Sequence, residues 1–262
     1  MTRKNLPFVK VNILGSSVGG GVSQQFAISY LINDVIAIDA GCLGFAWPLQ
    51  VQRNVRHVFI SHSHVDHIGS LPLFIENVYE PGLDCPKIFG SQAVLDCLRE
   101  DVFNDRVWPD FVKLGEVETP FLALDSIEDG ESVTVGDLTV TAVGVDHLVP
   151  ALGFIVEDAD SAVAFGCDSG PTDRIWELAN QNPKLKAVYL EASFPNELDW
   201  LAKASKHLTP KMFLTEYRKL KSDVTVVAIH IKAPFRDQVI EELEALNLPN
   251  LEIGTPDESY YH

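Results

Sequence analysis

Cations are scarce in this chain of 262 residues: Lys and Arg total 20 against 37 Asp and Glu, a formal charge of −17. Proteins grip long nucleic acids with Lys and Arg that displace counterions from phosphates, so a long RNA or DNA partner is not expected. A small anion is still acceptable if metal ions supply the positive charge. No run of about 18 apolar residues occurs, so nothing reads as a membrane span. Residues 1–10 lack the apolar stretch of a secretory signal. Cysteines are few and scattered (Cys42, Cys85, Cys97 and Cys167), with neither Cys-x-x-Cys spacing nor a dense framework. That usage fits a reducing compartment, and a cytoplasmic setting is the expectation. No low-complexity linker or charge block divides the chain, so residues 1–262 read as one domain.

Strands and tight turns dominate the first part: apolar runs at 8–14, 24–32, 35–39 and 55–60. Gly15 to Gly21 joins the first two, and Asn33-Asp34 turns the second into the third. Residues 91–103 carry helical periodicity, with Val94, Leu95, Leu98 and Val102 on one side. The second half repeats the scheme, with strands expected at 132–135, 138–143, 153–156, 162–165, 187–190 and 224–229. Helices are expected at 171–179, 197–205, 210–220 and 234–246, the last with Phe235, Val239, Ile240, Leu243 and Leu246 as its core stripe. Periodicity alone gives a layered α/β or α+β protein.

Three of the eight histidines fall within six residues, in His62-Ser63-His64-Val65-Asp66-His67. His62 and His64 are two apart, so both leave an extended segment on one face. Asp66 and His67 follow where the chain should enter a helix at 68–74. Imidazoles with a carboxylate suit Zn²⁺ or a similar first-row ion. The competing reading is a chance cluster on a solvated loop. The buried strand before it and the helix after it argue for a metal motif.

The segment resembles the His-x-His-x-Asp-His signature of the metallo-β-lactamase superfamily. Residues 11–20 and Ile38-Asp39-Ala40-Gly41 are similar to that family's first hairpin and its Asp-x-Gly strand end. Asp146-His147, Gly166-Cys167-Asp168-Ser169-Gly170 and Val227-Ala228-Ile229-His230 each end an expected strand where the family places further ligands. The resemblance implies a four-layer αββα sandwich, two sheets packed face to face with helices outside. It also implies two divalent ions, with Zn²⁺ first and Mn²⁺ or Fe²⁺ as alternatives. His62, His64 and His147 would hold one ion; Asp66, His67 and His230 would hold the other, and Asp168 would bridge them. Asp39 is expected to hydrogen-bond a ligand histidine rather than touch metal. His57 and His262, without motif context, are expected on the surface.

Fold does not settle substrate. An aspartate at the bridging position suits phosphoester cleavage, where two ions share the charge of the attacking and leaving oxygens. Residues 189–195, residues 205–210 and His230-Ile231-Lys232-Ala233-Pro234 resemble elements of the class II cyclic-nucleotide phosphodiesterases, with Val65 where that family has leucine. The resemblance implies hydrolysis of a 3′,5′-cyclic nucleotide, cAMP or cGMP, to the 5′-nucleotide by a hydroxide bridging the ions. Asp66 would orient the hydroxide, and His207, oriented by Glu191, would protonate the leaving oxygen. For His207 the plain alternative is a solvated junction between two helices, with Thr209 capping the second. The glycine-rich 15–21 turn could offer N–H groups to phosphate, or be a hairpin turn alone. Phe45, Trp47, Trp108 and Phe194 are candidates for stacking on a base, against core or lid roles. Rival readings are an RNA 3′-processing endonuclease, a thioester or lactone hydrolase, and a metal-binding protein without catalysis. A homodimer is the default oligomer.

Overall fold

The computed structural model describes residues 8–16, 24–115 and 119–262. The chain divides into two compact units. One comprises Asn12–Glu128 with Thr255–Glu258, and the other comprises Asp129–Gly254 with Ser259–His262 and the chain up to Val11. Among the described residues there are two mixed seven-stranded sheets with helices, an α/β architecture.

Strands β1 (Lys10–Ile13), β2 (Tyr30–Ile32), β3 (Ile36–Ile38), β4 (His57–Phe59), β5 (Lys87–Gly90) and β6 (Ala123–Ser126) build the first sheet with β14 (Ser259–Tyr261). Their order is β14-β1-β2-β3-β4-β5-β6. Asn33 and Asp34 both take left-handed φ (48° and 59°), as a two-residue hairpin turn requires, and β2 pairs antiparallel with β3. From β3 to β6 the pairing is parallel. The connections carry α1 (Leu49–Asn54), α2 (Val65–Ile68), α3 (Leu71–Val78), α4 (Gln92–Cys97) and α5 (Phe111–Gly115). Helix α3 buries Leu71, Phe74, Ile75 and Val78, the i, i+3, i+4, i+7 spacing of an amphipathic face. They join Val58, Ile60 and Ile88 in one core, each such side chain contributing about 1.5–3 kcal/mol on burial.

The second sheet holds β7 (Ser132–Val135), β8 (Leu138–Val145), β9 (Ala151–Glu157), β10 (Ala162–Phe165), β11 (Leu185–Glu191), β12 (Thr225–Ile229) and β13 (Leu251–Ile253), in the order β13-β12-β11-β10-β9-β8-β7. Antiparallel pairing from β7 to β10 gives way to parallel pairing from β10 to β13. Helices α6 (Arg174–Gln181), α7 (Asp199–Ser205), α8 (Pro210–Tyr217) and α9 (Arg236–Glu244) complete the unit. Phe213, Val239 and Leu243 pack with Val188, Leu190, Val226 and Ala228.

Several expectations shift. Strand β2 begins only at Tyr30, and β5, β6, β13 and β14 were not anticipated, being three or four residues long. The periodic segment at 91–103 is not one helix. After α4 it widens into a π-type turn over Leu98–Val102, and Phe103 ends it, wholly buried. The helix expected from 171 starts at Arg174, because Thr172 is tied by both its N–H and its carbonyl to Glu216 and Lys219 of the α8 region. His262 is not a plain surface residue: its Nε2 meets Tyr189 Oη at 3.0 Å, and burial pushes its pKa down to about 4. Of the 15–21 turn, residues 17–21 lie outside the described residues. No helix among the described residues is long and apolar enough to cross a membrane.

Candidate metal centre

In the first unit, β4 delivers the chain into an extended stretch that ends at His64, the residue before α2. Ser61, His62 and His67 are buried, while His64 and Asp66 are partly exposed. Asp39, just beyond β3 and fully buried, organises them from a left-handed φ of 60°. Its Oδ1 accepts the Ser61 N–H at 2.7 Å, and its Oδ2 takes the Ser61 hydroxyl at 2.9 Å and His67 Nδ1 at 2.7 Å. The Ser61 hydroxyl therefore donates to Asp39 and is left to accept from His62 Nδ1, 2.9 Å away. Both rings are thus held with Nε2 as the lone-pair nitrogen. His62 Nε2 stands 3.0 Å from His64 Nδ1. Two ligands of one tetrahedral ion at roughly 2.0–2.1 Å would be separated by roughly 3.3 Å, so the pair is close to ligand geometry.

Gly41 permits this arrangement. A Cβ there would stand 1.9 Å from the Asp66 carbonyl oxygen and 2.6 Å from the Ile28 nitrogen, both backbone atoms that cannot give way. The close approach lets Ala40 N–H bond the His67 carbonyl at 2.7 Å and Ile28 N–H bond that of Asp66 at 2.7 Å.

The second unit repeats the logic with a different carboxylate. Glu191 ends β11, wholly buried, and four donors fill its oxygens. Oε1 takes Ser169 N–H at 3.0 Å and His207 Nδ1 at 2.7 Å, and Oε2 takes the Ser193 hydroxyl at 2.7 Å and Leu208 N–H at 3.1 Å. Glu191 lies with Asp168, His207 and His230 in one cluster of donor atoms, yet its oxygens are committed to orienting neighbours. Ser193 Oγ, having given its proton to Glu191, accepts from His230 Nδ1 at 2.9 Å. His147, after β8, turns Nδ1 to the Lys206 carbonyl at 3.1 Å. His147, His207 and His230 therefore each commit Nδ1 to an oxygen, and His230 Nε2 faces Lys232 Nζ at 3.2 Å. Asp168, following β10, lies with Oδ1 3.4 Å from His230 Nδ1 and Oδ2 4.0 Å from His207 Nε2.

His207 is a buried member of this cluster rather than a solvated junction residue, although Thr209 does cap α8 by accepting Met212 N–H. Burial opposes charge on its ring, but the charge and hydrogen bond of Glu191 outweigh that and raise its pKa. Burial would likewise raise Glu191, and the charge and hydrogen bond of His207 bring it below its ordinary value. The stacking candidates part ways. Trp108 packs on the first unit's core, Phe194 sets its ring 5.6 Å from that of His207, and Phe45 and Trp47 are exposed.

Imidazoles with one nitrogen fixed by an acceptor, grouped with carboxylates, are the donor chemistry of a divalent metal site. The His and Asp clusters fit such ions. Of the two hydroxyls that set ring orientation, Ser61 carries no spacing signal in the sequence, while Ser193 falls within the 189–195 segment without its role being marked there.

A family model of class II cAMP phosphodiesterases matches residues 23–149. A probable 3′,5′-cyclic-nucleotide phosphodiesterase from Yersinia pestis is 26% identical over 92% of this chain and 83% of its own length. A ribonuclease Z from Limosilactobacillus fermentum is 31% identical over 58% of this chain and 49% of its own length. Among solved structures, unliganded yeast PDE1 superposes with a TM-score of 0.79 at 18% identity, over 97% of this chain and 99% of that one. The metallo-β-lactamase fold protein YhfI from Bacillus subtilis gives 0.74 at 17%, over 97% and 100%. The chain has the metallo-β-lactamase fold and resembles the class II cyclic-nucleotide phosphodiesterases. Its two mixed sheets are those of the metallo-β-lactamase fold.

Proposed function

We propose that the chain is a metal-dependent hydrolase that opens a 3′,5′-cyclic nucleotide to the 5′-nucleotide, the whole of residues 1–262 acting as one hydrolase domain. The observation that carries this reading is the class II phosphodiesterase match, which spans the histidine motif and His147. The Yersinia pestis relative supports it over nearly the full chain.

On this reading His62, His64, His147, Asp66, His67, His230 and Asp168 would be the residues that hold two divalent ions. The fixed Nδ1 atoms of His62, His67, His147 and His230 support that assignment. Zn²⁺ suits the nitrogen-rich set, with Mn²⁺ and Fe²⁺ as alternatives. Bound there, the ions neutralise phosphoryl charge and lower the pKa of water. Asp66, partly exposed at the start of α2, orients the attacking water. His207, held by Glu191 with Nε2 outward and kept readily protonated, gives its proton to the 3′ oxygen as the P–O3′ bond breaks. The product leaves as the 5′-monophosphate. The four free cysteines support a reducing, cytoplasmic setting.

The ribonuclease Z relative supports a second reading, cleavage of an RNA phosphodiester by the same residues. The charge of −17 weighs against it. The deciding experiment is hydrolysis of cAMP and cGMP by Zn- or Mn-loaded protein, with bis(p-nitrophenyl) phosphate as a generic diester. Release of 5′-nucleotide is expected. Cleavage of the generic diester alone would defeat the cyclic-nucleotide reading, and silence on all three with metal bound would move it to thioesters and lactones.

A further inference from the structure

His57 and Lys87 open the neighbouring strands β4 and β5 and are partners in the parallel register. Partners in register leave a sheet on the same face, so both side chains emerge together at the end of β4 opposite the one that delivers His62. Arg56 stands one residue earlier, and its carbonyl accepts the Lys87 N–H at 2.9 Å. These three basic residues line a cavity of about 630 Å³ together with Leu83, Asp84 and Cys85 of the loop between α3 and β5. Cavities of that size hold small organic ligands. No step of the hydrolysis described above uses this one.

The walls are fixed by contacts of their own. Arg56 Nη1 donates to the Asp84 carbonyl at 3.1 Å, which pins the guanidinium against the loop. That acceptor is neutral, so the contact orients the guanidinium without cancelling its charge. His57 is partly buried rather than a plain surface residue, and its ring lies nearly parallel to that of Phe89, with centroids 6.2 Å apart. Burial first, and the Lys87 charge second, hold its pKa below the ordinary value. A bound anion would reverse that balance by favouring the protonated ring. Burial above all pushes the Cys85 thiol up, and the charges of Asp84 and Asp125 add to it. The acidic side of the cavity is therefore the Cys85 side, and an anion belongs on the His57 side. In a chain of charge −17, two cations and an imidazole on one cavity reverse the average field locally and concentrate anions there.

We propose that Arg56, His57 and Lys87 form a second anion site, separate from the metal centre, that binds the phosphate group of a small phosphorylated ligand. The planar fork of Arg56 matches two phosphate oxygens, and Lys87 supplies a compact second charge. Together they balance a dianion, where a single carboxylate would leave one cation unmet. His57 offers an N–H in either protonation state.

The test follows the His57 ring by NMR in the full-length, Zn-loaded protein, with its signal assigned through His57→Gln. Inorganic phosphate and 5′-AMP are titrated in, with adenosine and acetate as controls. The expected result is a rise in the His57 pKa with phosphate and with 5′-AMP, and none with adenosine or acetate. Tighter binding of 5′-AMP than of phosphate would support the site and identify a phosphate ester as its occupant; equal binding would support it with free phosphate as the occupant. In Lys87→Gln and Arg56→Gln the affinity read at His57 should fall about tenfold or more, while metal content and turnover of bis(p-nitrophenyl) phosphate stay parental. Lys87 is exposed, so its variant keeps the test sound even if loss of the Arg56 tether loosens the loop. A His57 signal that ignores both phosphates at millimolar concentration, or answers acetate as strongly, would overturn the proposal. So would a response that both Gln variants leave unchanged. The readout is local to this cavity, so a protein inert toward cAMP and cGMP would refute the functional reading and leave this result to stand or fall separately.

Discussion

At the scale of single residues, the two units use one device twice. A buried carboxylate receives a serine hydroxyl and a histidine N–H, and the serine in turn fixes a second histidine. Asp39, Ser61, His67 and His62 form the first set. Glu191, Ser193, His207 and His230 form the second. The carboxylates spend their oxygens on orientation, which separates them from Asp168, whose oxygens point at histidines at longer range. That division yields contrasting outcomes. Asp168→Ala should lose bound metal and activity together, read by metal analysis and initial rates. His207→Ala should keep its metal and lose turnover by about 10²–10⁴-fold, the range for removal of a general acid. If His207→Ala stripped metal or left the rate unchanged, its role as proton donor would be wrong.

At the scale of elements, the fold places the residues proposed as ligands where strands stop. His62 follows β4, His147 follows β8, Asp168 follows β10 and His230 follows β12. This much was legible in the sequence, because a polar ligand breaking an apolar strand is a local pattern, and the His-x-His-x-Asp-His cluster is dense enough to stand out from chance. Glu191 and His207 were legible only through the motifs around them. The roles of Ser61 and Ser193 were not, since a serine beside or within a motif shows its purpose only once the chain brings its Oγ between a carboxylate and a ring. The short strands β5, β6, β13 and β14 escaped for a related reason: three or four residues carry too little alternation to announce a strand, and neighbouring strands define them. Gly41 belongs to this scale too, as the point where the loop after β3 presses on α2. Gly41→Ala would force its methyl into the Asp66 carbonyl. Neither backbone can move without breaking the Ile28–Asp66 and Ala40–His67 hydrogen bonds. The expected result is a loss of about 1–3 kcal/mol in denaturant unfolding, the usual cost of overpacking, together with reduced metal content. A variant of parental stability and full metal load would show that the contact gives way more easily than the backbone geometry allows.

At the scale of the whole molecule, the decisive quantity is the charge of −17, because it separates the two phosphodiester readings that the site residues share. An RNA-processing enzyme must hold a polyanion, and each phosphate neutralised by Lys or Arg adds to a steep salt dependence. Here cations are few, and several are engaged in surface ion pairs: Arg99 with Asp96, Lys113 with Asp110, Lys203 with Asp199 and Lys206 with Asp146. A small nucleotide escapes this difficulty, since its one phosphate can be met wholly inside the metal centre. Bulk tRNA in excess should therefore leave hydrolysis of a cyclic nucleotide unchanged at about 50 mM salt, where electrostatic attraction is least screened. The check is the initial rate with and without tRNA, repeated at about 200 mM salt, alongside incubation with an unprocessed tRNA precursor. Strong inhibition at low salt that vanishes at high salt, or trimming of the precursor, would reveal a concentrated basic surface and return the balance to the ribonuclease reading. An unaffected rate at both salt levels would mean that the chain selects its phosphodiester by refusing polyanions, with charge at the scale of the molecule narrowing what the metal centre alone would accept.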